Sequence, residues 1–142
     1  TDTAVFTSSV SPRLYLPRST LFPPSALIRW FGISTMKRYG MVNRVRPEAE
    51  AEYVKYHADV WPGVLEMIRQ CNIRNYSIYL KDGFLFSYFE YHGSDFAADM
   101  ARMAADPTTQ KWWAIMEPMQ DPLPTRKPGE WWADMPEVFH VD

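Results

Sequence analysis

Tyr53 and His57 stand four residues apart in "EYVKYHADVWPGV", residues 52–64, with Trp61 one further step along. On a helix this spacing places all three on one face. Histidine is the side chain whose ordinary pKa, about 6.5, permits both proton uptake and release near neutrality. The pair therefore suits a site where a proton is moved. The same spacing also suits a face packed on a sheet, with His57 hydrogen-bonded to backbone.

"QKWWAIM" adds Trp112 and Trp113, which a helix turns about 100° apart, so one packs inward while the other reaches a pocket edge. Indole faces pair with the CH face of a sugar ring while neighbouring polar groups hold its hydroxyls, so Tyr, Trp and His converging on one cavity would suit a carbohydrate. Trp131 and Trp132 follow Gly129 in a non-helical stretch where adjacent side chains point to opposite sides; one of them could close over a pocket. Pro122, Pro124 and Pro128 stiffen the connection before them, and Asp121 opens it with a carboxylate.

Other chemistries lack their signatures. The sequence has no glycine-rich phosphate loop, no nucleophile-elbow serine and no pair of Cys or His at metal spacing, since His57, His92 and His140 lie far apart. No metal or cofactor is expected. A formal net charge of -2 provides no basic footprint for nucleic acid or an anionic membrane. No apolar run approaches the roughly 20 residues that span a bilayer. The single cysteine, Cys71, has no intramolecular disulfide partner and fits a reducing cytoplasm. Six Trp and eight Tyr in 142 residues exceed what a small core hides, which points to a ring-lined pocket or interface.

Residues 1–35 are rich in Ser, Thr and Pro, contain one acid, Asp2, and sustain no hydrophobic period; they are expected to form a disordered extension ahead of a single domain at 36–142. Within that domain "KRYGMVNRV" alternates as a first strand, and Pro47 opens a helix with an acidic first turn of Glu48, Glu50 and Glu52. This helix should run to about Asp59 and restart at Pro62. "NYSIYLKDGFLFSYFEY" forms two aromatic strands around Asp82-Gly83, the dipeptide of a tight type I′ turn. Ser94 is the expected cap of "DFAADMARMAA", Asp106-Pro107 that of "TTQKWWAIM", and "EVFHV" the last strand.

Strand, helix, strand, strand, helix, strand is the split βαβ of an α+β, ferredoxin-like domain: a four-stranded antiparallel sheet with helices on one face. Tyr76, Ile78 and Leu80 should share one side, with Leu85, Phe89 and Tyr91 opposite Phe84, Phe86 and Tyr88, so both faces are apolar. Helices cover one; a second copy of the chain is expected to cover the other, giving a homodimer.

"EYVKYHADVWP", "NYSIYL", "QKWWAIM" and "EVFH", in this order and at these separations, resemble the L-rhamnose mutarotase family over about residues 36–142. The resemblance implies a dimeric α/β barrel and a cofactor-free isomerase that interconverts the α and β anomers of L-rhamnose. It places the proton-donating histidine on His57 and the sugar contacts on Tyr53, Tyr76, Trp112 and Trp113. Because "DPLPTRKPGEWWADMP" departs from the Asn/Asp-rich connection of better-known members, loop contacts do not carry over, and L-fucose or another deoxysugar stays open as the substrate. Tyrosine, with a pKa of about 10, is a reluctant base, which leaves water or Asp121 for that role. Two rival readings are a non-catalytic sugar-binding or regulatory module and a cofactorless oxygenase of the same barrel type.

Overall fold

The computed structural model describes residues 36–142. The expected disordered extension, residues 1–35, lies outside the described residues.

Strand β1 (Lys37–Arg44) leads through a 3-10 turn at Pro47–Ala49 into helix α1 (Glu50–Ala58). Helix α2 (Pro62–Gln70), strands β2 (Ile73–Lys81) and β3 (Phe84–Tyr91), and helices α3 (Phe96–Ala105) and α4 (Pro107–Met116) follow. A second 3-10 turn, Glu117–Met119, and strand β4 (Ala133–Met135) complete the order. The sheet runs β2-β3-β1-β4 with antiparallel pairings, the ferredoxin-like arrangement anticipated from the element order.

Local rules account for most boundaries. Pro62 occupies the first turn of α2, and Trp61 before it is extended (φ -57°, ψ 134°), as a residue preceding proline prefers, so the helix breaks and restarts there. Asp82 and Gly83 both have positive φ, 52° and 78°, the type I′ geometry that matches the twist of the flanking strands. Asp106 caps α4 by accepting from the Thr109 N–H at 2.7 Å.

Two expectations need correction. The cap of α3 is Asp95, whose Oδ1 accepts from the Ala98 N–H at 3.0 Å, and not Ser94. The last strand is Ala133–Met135 and not "EVFHV": Pro136 has no N–H to continue the ladder on β1, and Val138, Phe139 and Val141 are exposed. On β2, Tyr76, Ile78 and Leu80 share one side as expected, but the alternation breaks before them. A bulge between Arg74 and Ser77, with Asn75 at φ 48°, sets two residues against one on β3. It shifts the alternation by one, so that Ile73 and Tyr76 both face the helices. Asn tolerates this backbone, and its side chain is anchored on Glu90 at 2.9 Å.

The helix-facing side of the sheet carries two buried clusters. One gathers Tyr53, Val64, Leu85, Trp112 and Met116; the other gathers Cys71, Ile73, Phe89, Tyr91 and Met103. The opposite side leaves Tyr79, Phe84 and Phe86 exposed, so the expected second apolar face is present. Among the described residues, no helix is long and apolar enough to cross a membrane.

Candidate active site

Between the helices and the sheet lies a cavity of about 820 Å³ lined mainly by apolar and aromatic side chains, within the size range of small-molecule sites. Tyr53, His57, Tyr76, Trp112 and Trp113 all line it. Five residues from α1, β2 and α4 are thus brought to one hollow. Trp131, from the loop before β4, joins them, together with the buried Gln120 and Thr109. Among the described residues, Glu117 is the one acidic side chain in the lining, and no Lys or Arg contributes. Such a surface suits a neutral ligand with apolar faces and a few hydrogen-bonding groups.

Helix α1 supplies Tyr53 and His57. Its first turn carries Glu50 and Glu52 and its last turn Lys55 and His57, a charge order that complements the helix dipole. Tyr53 is buried, and the His57 ring stacks on it with centroids 4.2 Å apart. His57 Nδ1 lies 2.8 Å from the backbone oxygen of Tyr53. A carbonyl only accepts, so Nδ1 carries the hydrogen and the neutral ring keeps its lone pair on Nε2. Among the described residues Nε2 has no hydrogen-bond partner. Burial holds the His57 pKa below its ordinary value, opposed in part by the bond to Tyr53. His57 is thus hydrogen-bonded to backbone through one nitrogen and also lines the cavity.

The Tyr53 phenol is pushed well above its ordinary value by burial, with the Gln120 side chain opposing the shift. It therefore stays protonated across the physiological range. Tyr76 reaches the same cavity on the side of β2 that it shares with Ile78 and Leu80, packs edge-on against Phe89 at 5.6 Å, and keeps 41% exposure. Burial also raises its phenol pKa, and the neighbouring Ser87 hydroxyl works against that.

The two tryptophans divide as their helical spacing suggests. Trp112 is 6% exposed and makes edge contacts with Tyr56, His57 and Trp61 at 6.0, 5.5 and 5.4 Å. Trp113 is 37% exposed. Asp121, considered above as a base, does not line the cavity. Its carboxylate pairs with Arg44 at 2.8 Å, which leaves it engaged elsewhere.

Gln120 escaped the reading of the sequence. A lone glutamine after a helix has no local signature; its involvement follows from contacts with residues 67 positions before and 11 after it. Among the described residues, no group of three His, Cys, Asp or Glu side chains is placed to hold a metal ion.

Fold and cavity define a ferredoxin-like α+β protein with an internal, aromatic-lined cavity. The sequence profile of the L-rhamnose mutarotase family matches residues 38–141, and the chain belongs to that family. Among its relatives, an L-rhamnose mutarotase of Ligilactobacillus salivarius is 37% identical over 110 residues, covering 74% of this chain and 97% of that protein. One from Phocaeicola vulgatus is 36% identical over 109 residues, covering 75% of this chain and all of that protein. The crystal structure of an L-rhamnose mutarotase from Formosa agariphila shares the fold, with a TM-score of 0.58 at 18% identity over 75% of this chain and 99% of that one.

Proposed function

We propose that this protein is a sugar mutarotase that interconverts the α and β anomers of L-rhamnose or a related deoxyhexose, with His57 moving the proton. Family membership supports the reaction. The observation that carries the residue assignment is His57 itself: one nitrogen is committed to the Tyr53 carbonyl, and its ring lines a mainly apolar cavity with Nε2 unpaired among the described residues.

The anomeric hydroxyl oxygen and the ring oxygen are both bonded to C1, so one group placed beside C1 can serve each in turn. Neutral His57 takes the proton of the anomeric hydroxyl at Nε2. The electron pair of the broken O–H bond forms the second C–O bond of the aldehyde, and the bond from C1 to the ring oxygen breaks with its pair left on that oxygen. The imidazolium then donates its proton to the departing ring oxygen. Rotation about C1–C2 and reversal of the same steps close the other anomer, with no net proton gained or lost. Tyr53 and Tyr76 hold sugar oxygens, while Trp112 and Trp113 lie against the ring. The apolar remainder of the lining suits the methyl group of a deoxyhexose better than a hydroxymethyl group. Initial exchange rates across a panel of L- and D-deoxyhexoses test the reading by saturation-transfer NMR. Fast exchange of L-rhamnose supports it; saturable binding without accelerated exchange would leave a sugar-binding module instead.

The pH dependence follows from the direction of the His57 shift. A base with its pKa held below the ordinary 6.5 remains neutral on acidification to about that pH. The exchange rate should hold its plateau near pH 8 and fall to half of it only below about pH 6.5, measured at saturating sugar. A rate already halved at pH 7 would contradict the assignment.

We also infer that a second copy covers the outer sheet face. Phe84 and Phe86 are each 39% exposed and Tyr79 66% exposed on one sheet surface, a contiguous aromatic patch of the kind that marks an interface. Phe86→Glu should convert a dimer to a monomer in sedimentation equilibrium; a wild-type chain that sediments as a monomer removes the inference. A free, fully buried Cys71 fits a cytoplasmic location.

A further inference from the structure

We propose that Gln120 and Trp131 act as positioning residues that orient the Tyr53 hydroxyl so that its proton is donated into the cavity, to an oxygen of the bound sugar. The inference rests on the reading that the sugar lies against Tyr53.

The backbone of Gln120 is held by the end of β1. Asp121 N–H donates to the Arg44 carbonyl at 2.9 Å, and Arg46 N–H donates to the Met119 carbonyl at 2.8 Å. Residues 119–121 thus extend the sheet locally, around the isolated bridge between Val45 and Gln120. The Gln120 side chain is 4% exposed, so its amide must find partners in protein or ligand.

Those partners fix its orientation. Trp131 Nε1 lies 2.6 Å from Gln120 Oε1. An indole N–H only donates, so the amide oxygen must face Trp131 and the amide nitrogen must face the other way. That nitrogen donates to the Tyr53 hydroxyl at 3.4 Å. The phenol oxygen is thereby an acceptor toward Gln120, and its own hydrogen must point elsewhere. Among the described residues no protein acceptor takes it, and Tyr53 lines the cavity. A sugar hydroxyl or ring oxygen would complete the chain, from indole to amide to phenol to ligand.

Trp131 comes from the connection containing Pro122, Pro124, Pro128 and Gly129. Gly129 has φ +85°, and Lys127 N–H donates to Glu130 Oε2 at 2.9 Å, so the turn just before Trp131 is tied by its own hydrogen bond. This chain thus supplies from its own loop a group that directs a phenol on α1.

Gln120→Glu tests the direction of the bond, since the carboxylate has the same shape but no N–H. It accepts from Trp131 with one oxygen and from Tyr53 with the other, which draws the Tyr53 proton away from the sugar. Losing one hydrogen bond to the ligand corresponds to roughly three- to tenfold. The half-saturating concentration of L-rhamnose, from polarimetric initial rates at pH 7.5, should rise by about that factor. Trp131→Phe keeps the ring, removes the N–H and releases the amide; it should give a smaller rise, and it serves as the folded variant if Gln120→Glu is unstable.

Both substitutions are repeated in a Tyr53→Phe background, where no phenol proton remains to be directed. There each penalty should vanish. A penalty that persists undiminished in Tyr53→Phe overturns the relay while leaving Tyr53 as a sugar contact. If Tyr53→Phe alone leaves half-saturation unchanged, the contact between Tyr53 and the sugar is itself wrong, and the relay falls with it.

Discussion

His57→Ala should lower the enzymatic anomer exchange of L-rhamnose by roughly 10²- to 10⁴-fold, the range that a positioned general acid or base contributes. The reason is geometric as much as chemical. Nδ1 is tied to the Tyr53 carbonyl at 2.8 Å, so the ring is oriented and its proton exchange is confined to Nε2. Removing the imidazole leaves, among the described residues of the lining, the Glu117 carboxylate and two phenols whose pKa values burial has raised, poor replacements near neutrality. Because the ring is half-buried at the last turn of α1, its loss should leave the fold in place, which far-UV circular dichroism would report. His57→Asn is the sharper comparison: it keeps a polar group near Tyr53 but cannot cycle a proton. Exchange near the wild-type rate in either variant would remove His57 from the mechanism.

The second large effect separates two adjacent tryptophans. Trp112→Ala should destabilise the protein by about 3–5 kcal/mol, the cost of emptying a large aromatic site in a packed core. Trp112 is 6% exposed, belongs to the cluster with Tyr53, Val64 and Leu85, and contacts three rings edge-on. Its removal also frees the His57 ring that packs against it. Trp113→Ala, at 37% exposure, should change stability by only about 0.5 kcal/mol. Its cost should instead fall on substrate: a rise of about tenfold in half-saturation, or about 1.4 kcal/mol. Chemical denaturation and polarimetry on both variants check the division. Equal stability losses would mean that Trp113 is also core.

Features that depend on neighbours in the chain were legible. Asp82-Gly83 demands a backbone that few other dipeptides adopt, Pro62 must interrupt a helix, and Asp106 caps the turn that Pro107 begins. The spacing of Tyr53 and His57 forces them onto one face wherever that face is buried. The element order then left the ferredoxin-like sheet as its natural arrangement, and the resemblance named the same five cavity residues that the fold gathers.

What the chain could not reveal locally is where distant segments compete for the same edge. The last strand settles at Ala133–Met135, where Met135 packs over Gly40, and Pro136 ends the ladder although "EVFHV" alternates as well. Glu137 beyond it reaches β1 only through its side chain, on Arg38 at 2.7 Å. The β2 bulge, which puts Ile73 on the same side as Tyr76, depends on pairing with β3 and on Asn75 finding Glu90. Gln120 acquires its place only because α1 and the loop before β4 meet around it. Sequence alone determined which elements form and which rings share a face, because hydrogen bonds and sterics within a few residues decide those. Only the tertiary structure decided which edges pair and which amide meets which phenol, because those contacts join segments that carry no local record of one another.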